Sequence, residues 1–233
     1  MRPCKPAFEA ASCGPTIPRS PTIDDTVPPH KHQQLLMEAI EREGEAQRRL
    51  IDGDPGAART EFRAVSELYR QSWEAAHARA FGRLVGMLKG AVLAGGGVEE
   101  AQYARAALVD ADPGSATASY ARAIAALIAG DDADAEAWAR AMGVGDDAFA
   151  RTAEAISALA AHDEPRYTAA LEAIVRDFEQ RSRHLTGVAI ADTALMLEAL
   201  AGRRGMAAAI ESPVLPVSLR RRRQAPPTIQ SDS

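Results

Sequence analysis

Four carboxylates form the densest group of side chains in the sequence that could do chemistry. Asp131, Asp132, Asp134 and Glu136 fall within six residues, and calcium prefers such oxygen ligands. A calcium loop also needs glycine at its sixth position and glutamate at its twelfth, where Glu136 and Met142 stand instead. Acidic residues are equally typical of a helix N-terminus, where they cap free N–H groups and face the positive end of the dipole. The pattern therefore predicts a helix start and no metal site.

The other reactive residue types are scattered. His30 and His32 lie in a proline-rich segment without further ligands, whereas a stable metal site needs three or four ligands held in geometry. The sequence contains no zinc-peptidase motif, no phosphate-binding loop and no nucleophile elbow. We therefore predict no catalytic residues, no metal and no cofactor, and a protein that is not an enzyme.

Asp192 is the most informative single residue, because it interrupts the otherwise apolar run 188–195. A buried carboxylate without a partner is costly. Two interpretations remain open. Asp192 makes a structural hydrogen bond, for example at a helix terminus, or it faces a pocket or a binding partner.

Aromatic side chains provide candidate anchors for a partner, because tyrosine and tryptophan are enriched at the centres of interfaces. Trp73, Trp138 and Tyr103 are the candidate contacts, together with Tyr69. Their helical spacing is also typical of core residues, so both roles stay open.

Apolar side chains recur at helical spacing through most of the chain, as Phe62, Val65 and Tyr69 illustrate. Aromatic residues make up 5% and charged residues 25% of the chain, and alanine, the strongest helix former, is abundant. The sequence therefore predicts an all-α fold. The expected helices span about 33–51, 55–74 and 75–94, begin near Asp112-Pro113, Gly130, Gly145 and Asp163, and end with an almost wholly apolar helix at 187–201.

Gly-Asp-Pro and Gly-Asp-Asp sequences separate these helices, and Asp and Pro favour the first turn of a new helix. Short turns between helices are typical of antiparallel helix pairs stacked in an array. The starts near Pro55, Pro113 and Pro165 are 58 and 52 residues apart, unlike the constant period of about 34 residues in tetratricopeptide repeats. We predict an irregular, helical-repeat-like (TPR-like) array of eight or nine helices, with the last helix buried.

The ends differ from the body in composition. Residues 1–34 contain seven of the 14 prolines and no helical period, so we expect a disordered tail that precedes a helical domain at 35–219. Met37 stands at the first helical pattern, which raises the hypothesis that the tail arises from an upstream start codon. Residues 220–233 carry the run Arg220 to Arg223, which we interpret as a solvated, disordered basic tail.

Charge and cysteine usage favour some function classes over others. Residues 35–219 carry 19 basic and 28 acidic side chains, which argues against nucleic acid as a ligand and suits a basic protein partner. Both cysteines, Cys4 and Cys13, lie in the N-terminal tail, and the sequence has no secretory signal and no apolar run long enough to cross a bilayer. We therefore expect a cytoplasmic protein without membrane contact.

The end of the helical domain resembles a known family. An apolar helix at 187–201 precedes Gly205-Met206 and an extended stretch at 210–216 with the pattern acidic-Ser-x-x-Leu-Pro. This segment resembles the C-terminal end of the immunity protein 49 family of bacterial polymorphic toxin systems, although an aromatic residue often seen there is absent. The stretch 120–142 is similar to the middle of such proteins.

The resemblance implies a helical, cytoplasmic protein that binds and neutralises a cognate toxin, with no catalytic residues. It also implies packing roles for Pro213, Leu215 and Pro216. Two alternatives remain open: a helical-repeat scaffold or regulator, and a small-molecule binder or enzyme with a site around Asp192 and His184. A polar pocket in the helical body would favour the last alternative, and a purely apolar core would exclude it.

Overall fold

A computed structural model of the chain describes residues 30–112, 114–143 and 145–216. Within these residues the fold is all-α, with nine helices and no strand. Residues 1–29 of the predicted tail at 1–34, with both cysteines, and the whole predicted tail at 220–233, with the arginine run, lie outside the described residues. The last residues of the predicted N-terminal tail, 31–34, belong to the first helix. The helices are α1 Lys31–Ile51, α2 Pro55–Glu74, α3 Gly82–Leu93, α4 Val98–Ala107, α5 Ala116–Ala129, α6 Asp132–Met142, α7 Asp147–Ala160, α8 Glu164–Gln180 and α9 Asp192–Arg203.

Successive helices pack against each other along the chain. The most extensive contacts join α1 to α2, α2 to α3, α5 to α6 and α7 to α8, and α3 also contacts α5. These helix-pair contacts are consistent with an array. None of the helices in the described part of the chain is long and apolar enough to cross a membrane.

Several predicted helix starts are confirmed by their capping contacts. The Asp54 and Asp163 carboxylates accept hydrogen bonds from the third residue beyond each, Ala57 and Arg166, at 2.9 and 3.1 Å. These contacts satisfy N–H groups that a helix start leaves without partners. The glycines at 95–97 end α3, with positive φ angles of 93° at Gly95 and 121° at Gly97, which favour glycine because it lacks a Cβ atom.

Asp131 does not cap α6 as expected. Although it is the N-cap residue, its carboxylate makes no capping hydrogen bond and instead accepts one from Arg105 at 2.9 Å. The neighbouring Asp132 carboxylate contacts Arg204 at 2.9 Å and His162 at 3.0 Å. No group of described residues could hold a metal ion. The acidic cluster therefore connects α6 to other elements through ion pairs.

Two predicted helix starts are wrong. The segment 75–81 forms a turn before α3, in which Ala76 and Ala80 bond to carbonyl groups three residues back, and Phe81 stacks on Trp73 at 5.9 Å. In α5 the N-cap is Ser115, whereas Asp112 accepts a hydrogen bond from the Gly114 amide at 2.8 Å. Alanine-rich composition favours helix at 75–81, and aspartate followed by proline favours a helix start at 112–113. Turn hydrogen bonds determine both boundaries, together with aromatic packing at 75–81.

The sequence pattern also missed α4, a short helix whose buried face consists of Ala101 and Ala104. Alanine contributes little to the apolar pattern by which helices are recognised.

The last helix begins later than predicted and is buried as predicted. Eight side chains of α9 are buried, but residues 187–191 are not helical, because the Ala191 amide bonds to the Val214 carbonyl at 2.9 Å. The Glu198 carboxylate, which is buried, accepts hydrogen bonds from the Ala208 and Ala209 amides and from the Tyr167 hydroxyl. The C-terminal stretch is therefore fixed to α9.

The three packing residues that the resemblance implies differ in exposure. Leu215 and Pro216 are buried, and Pro213 is exposed.

Candidate binding site

A cavity of about 370 Å³ opens where α1, α3, α5, α7, α8 and α9 converge. The non-helical segment 181–191 borders it. The Thr186 hydroxyl fixes this segment to α1 by donating a hydrogen bond to Gln47 at 2.5 Å. A Cβ atom at Gly44 would lie 3.1 Å from the Thr186 carbonyl oxygen. Close packing of α1 against this segment therefore shapes one side of the cavity.

The floor of the cavity, as we name it, consists of Lys89, Asp192, Glu43 and Tyr120. Lys89 Nζ donates a hydrogen bond to Asp192 Oδ2 at 2.5 Å, with 14% and 21% of the two side chains exposed. Asp192 Oδ1 accepts a second hydrogen bond, from the Thr193 amide, at 2.8 Å. Asp192 is the first residue of α9, where the helix dipole also favours a negative charge.

Burial and neighbouring charges act in opposite directions on Lys89. Burial lowers the pKa of its ammonium, but the Asp192 carboxylate, with Tyr120 and Glu43, raises this pKa above its ordinary value. The charged form of Lys89 is therefore favoured. A lysine nucleophile needs a lowered pKa, whereas the neighbours of Lys89 raise it.

For the Glu43 carboxyl, the effect of burial on the pKa outweighs that of the nearby positive charge. It is buried, and burial together with the nearby Asp192 raises the pKa of its carboxyl, in spite of Lys89 and of a hydrogen bond from Tyr69. The Tyr69 hydroxyl donates to Glu43 Oε2 at 2.8 Å. The floor thus contains one ammonium, one paired carboxylate and one carboxyl group whose ionisation is disfavoured.

Two buried polar atoms at the cavity lack a hydrogen-bond partner. They are the Tyr120 hydroxyl and His184 Nδ1, and both residues line the cavity. The Tyr120 hydroxyl lies beside Thr193 without a hydrogen bond of acceptable geometry, and burial raises its pKa. Buried polar atoms in proteins are nearly always paired, so these two atoms indicate where a ligand group could bind.

The wall and the rim of the cavity differ in character. The wall includes Phe149 and Phe178, and Phe149 meets the Tyr120 ring edge-on at 6.2 Å. At the rim, Asp177 pairs with Arg151 at 2.7 Å and with Arg181 at 2.5 Å, and the Arg181 guanidinium lies 3.8 Å from the Phe178 ring centroid. The charged groups Arg151, Asp177 and Arg181 therefore surround an apolar interior. Leu185, also at the rim, is 75% exposed.

The structure does not bring the five candidate contact residues together, and one of them, Tyr69, is buried and donates a hydrogen bond to Glu43. Asp192 lies in the cavity floor. It makes a structural ion pair with Lys89 and also faces a pocket, so both interpretations of this residue apply. Trp73 and Tyr103 lie near the C-terminus of α2, where the Tyr103 hydroxyl donates to Glu74 at 3.2 Å. Trp138 packs against Arg122, whose guanidinium lies 4.3 Å from its ring centroid. All three aromatic side chains are half-buried.

Asp192 and His184, which were expected from the sequence around one site, both line the cavity. The sequence did not reveal Lys89, Glu43, Tyr120 or the rim arginines. Lys89 interrupts an apolar stretch of α3 just as Asp192 interrupts its own, so the same reasoning could have identified it. Glu43 gave no such signal, because glutamates are frequent along α1.

Comparison with protein-family models finds no match for this chain. Searches against curated proteins and against solved structures likewise find none.

Proposed function

We propose that this chain is a protein-binding domain that neutralises a cognate bacterial toxin by direct contact at the cavity and its rim. The observation that carries this proposal is a coincidence of two features. The segment 187–201, which resembles the immunity family, supplies Val188, Ile190, Asp192 and Thr193 to the cavity. One of the segments that carry the resemblance therefore contributes to the cavity.

The composition of the cavity supports binding of a protein. The residues that dominate binding energy in interfaces are aromatic or arginine side chains in a desolvated centre, surrounded by a polar rim. Here Phe149 and Phe178 line the interior, and Arg151, Asp177 and Arg181 form the rim. The acidic balance of residues 35–219 would attract a basic toxin domain.

The chemistry of the floor supports a role in binding rather than catalysis. Lys89 is paired with Asp192, whose charge raises the lysine pKa. We also propose that the helical array is TPR-like and that the protein is cytoplasmic.

Growth rescue tests the proposal. The C-terminal domain encoded by the neighbouring gene is expressed in a heterologous host, alone and together with the full chain. We expect growth arrest from the first and growth from the second. Arg181→Glu should abolish rescue because it removes the guanidinium that lies over Phe178 and places a second carboxylate beside Asp177, whereas Arg63→Glu, at an exposed position outside the cavity, should retain it. A neighbouring gene without toxicity, or equal rescue by both variants, would contradict the proposal.

A second candidate is binding of a small molecule, favoured by the cavity volume of about 370 Å³ and by the two unpaired polar atoms. Ligand pockets typically measure about 300–1,000 Å³. This candidate predicts a ligand that co-purifies with the chain from its native host and is detected by mass spectrometry after denaturation.

A further inference from the structure

The floor of the cavity has more hydrogen-bond donors and acceptors than its own contacts use. The Lys89 ammonium has three N–H donors, and among the described residues it bonds only to Asp192. The Tyr120 hydroxyl is buried without a hydrogen bond. A bound group that enters this space can therefore accept a hydrogen bond from Lys89 and donate one to Tyr120 or Asp192.

The charges of the floor restrict what can enter. A carboxylate would face the negative charge of Asp192 and the Glu43 carboxyl group, and a second ammonium would face Lys89. An uncharged group that both donates and accepts meets neither repulsion, and a hydroxyl is such a group.

The side chains of the wall favour a flat apolar group next to that hydroxyl. Phe149, Phe178, Ile174 and Val188 line the interior, and aromatic rings pack favourably edge-on or offset against one another. An engineered cavity of about 150 Å³ already admits benzene, so about 370 Å³ has room for a substituted ring.

We infer that the cavity receives a tyrosine side chain of the bound protein, with its phenol hydroxyl between Lys89, Tyr120 and Asp192 and its ring between Phe149 and Phe178. This inference rests on the proposed function and names the residue type that the partner inserts. Tyrosine is also among the residues most enriched at the energetic centres of interfaces.

Two small probes that differ only in the hydroxyl group test the chemistry of the cavity. p-Cresol and toluene are titrated into the full ¹³C-methyl-labelled chain, and shifts of the Ile174 and Val188 methyl signals are followed by NMR. We expect p-cresol to bind at least about fivefold more tightly than toluene, since one net hydrogen bond corresponds to about 1 kcal/mol. Equal affinities, or shifts elsewhere only, would overturn the inference.

Variants test whether the floor residues cause the difference in affinity between p-cresol and toluene. Tyr120→Phe and Lys89→Met should each bring the p-cresol affinity to within about twofold of toluene, and Arg63→Met, which removes an exposed cation outside the cavity, should leave the ratio unchanged. Tyr120→Phe is expected to fold, because it removes an atom that has no hydrogen bond. A ratio that neither floor variant alters would overturn the inference.

Competition distinguishes a partner's tyrosine from a free phenol. Saturating p-cresol should weaken binding of the partner domain by the full chain, and toluene should do so less. If p-cresol binds the cavity without competing, the cavity is a site for free phenols and the inference is wrong. If growth rescue fails while p-cresol binds as expected, the proposed function is wrong, and the inference of a partner tyrosine is then wrong as well. If rescue succeeds without selective p-cresol binding, only this inference fails.

Discussion

At the scale of single residues, the ion pair between Lys89 and Asp192 links α3 to α9 within the floor of the cavity. Removing one member of a largely buried pair leaves the other without compensation. We expect Lys89→Met to lower the free energy of unfolding by about 2–4 kcal/mol, measured by urea denaturation. Asp192→Leu should also destabilise, and the double variant should lose less than the sum of the two.

The exposed Arg63→Met variant serves as the control for this cycle and should change stability by less than about 0.5 kcal/mol. Strict additivity of the Lys89 and Asp192 effects would contradict an energetic coupling between the two side chains.

Glu43 provides a prediction about pH. Because its pKa is raised in the folded protein, the folded state binds its proton more tightly than the unfolded state does. Stability therefore falls as the pH rises from the ordinary glutamate pKa of 4.5 through the folded pKa. We expect Glu43→Gln, which keeps an acceptor for Tyr69, to gain stability relative to the unchanged chain as the pH rises from 4.5 to 8. The unfolding free energy at each pH measures this.

Glu67 is the matched control, because its hydrogen bond with Arg70 lowers its pKa. Its contribution is present above the ordinary glutamate pKa and is lost as the pH falls through the folded pKa. Glu67→Gln should therefore lose stability relative to the unchanged chain as the pH rises to 4.5 from below the folded pKa, and should change little between 4.5 and 8. The same sign of change for both variants would contradict the assigned environments.

At the scale of elements, the sequence predicted helices well where aspartate, proline and glycine separate them, as at Pro55, Gly130 and Asp163. It failed at 75–81, where turn hydrogen bonds and the stacking of Phe81 on Trp73 determine the backbone, and at 187–191, where a contact distant in sequence does. The Ala191 amide bonds to Val214, and no helical period reveals such a partner. Local signals determine most helix starts here, whereas tertiary packing determines the remaining boundaries.

The contact between α2 and α3 gives an element-scale prediction. A Cβ atom at Gly90 would lie 3.0 Å from the Ser66 amide nitrogen and 3.1 Å from the Phe62 carbonyl oxygen. Gly90→Ala should therefore force the two helices apart and destabilise the protein by about 1–3 kcal/mol, as measured by thermal unfolding.

Gly202 in α9 provides the comparison for Gly90, because a Cβ atom there meets nothing within 4 Å. Gly202→Ala should stabilise by up to about 1 kcal/mol, since it restricts the unfolded chain. Destabilisation of equal size by both alanines would contradict close packing as the cause at Gly90.

At the scale of the whole molecule, the fold class could be predicted and the cavity could not. Alanine content and helical periodicity determine that the chain forms helices, but the cavity depends on how six of them converge. Asp192 could be recognised because burial of a carboxylate within an apolar run demands a partner. Its partner Lys89 lies 103 residues away in sequence, and no local pattern connects the two.

The central claim is that the cavity and its rim bind a partner protein. Isothermal titration of the full chain with an inactive variant of the toxin domain from the neighbouring gene tests it most directly. Phe149→Ala removes a wall residue and should weaken binding at least about tenfold. Val109→Ala, at a side chain that is 75% exposed and outside the cavity, should change affinity less than about twofold. Tight binding that Phe149→Ala leaves unchanged would contradict the account, because the partner would then contact another surface.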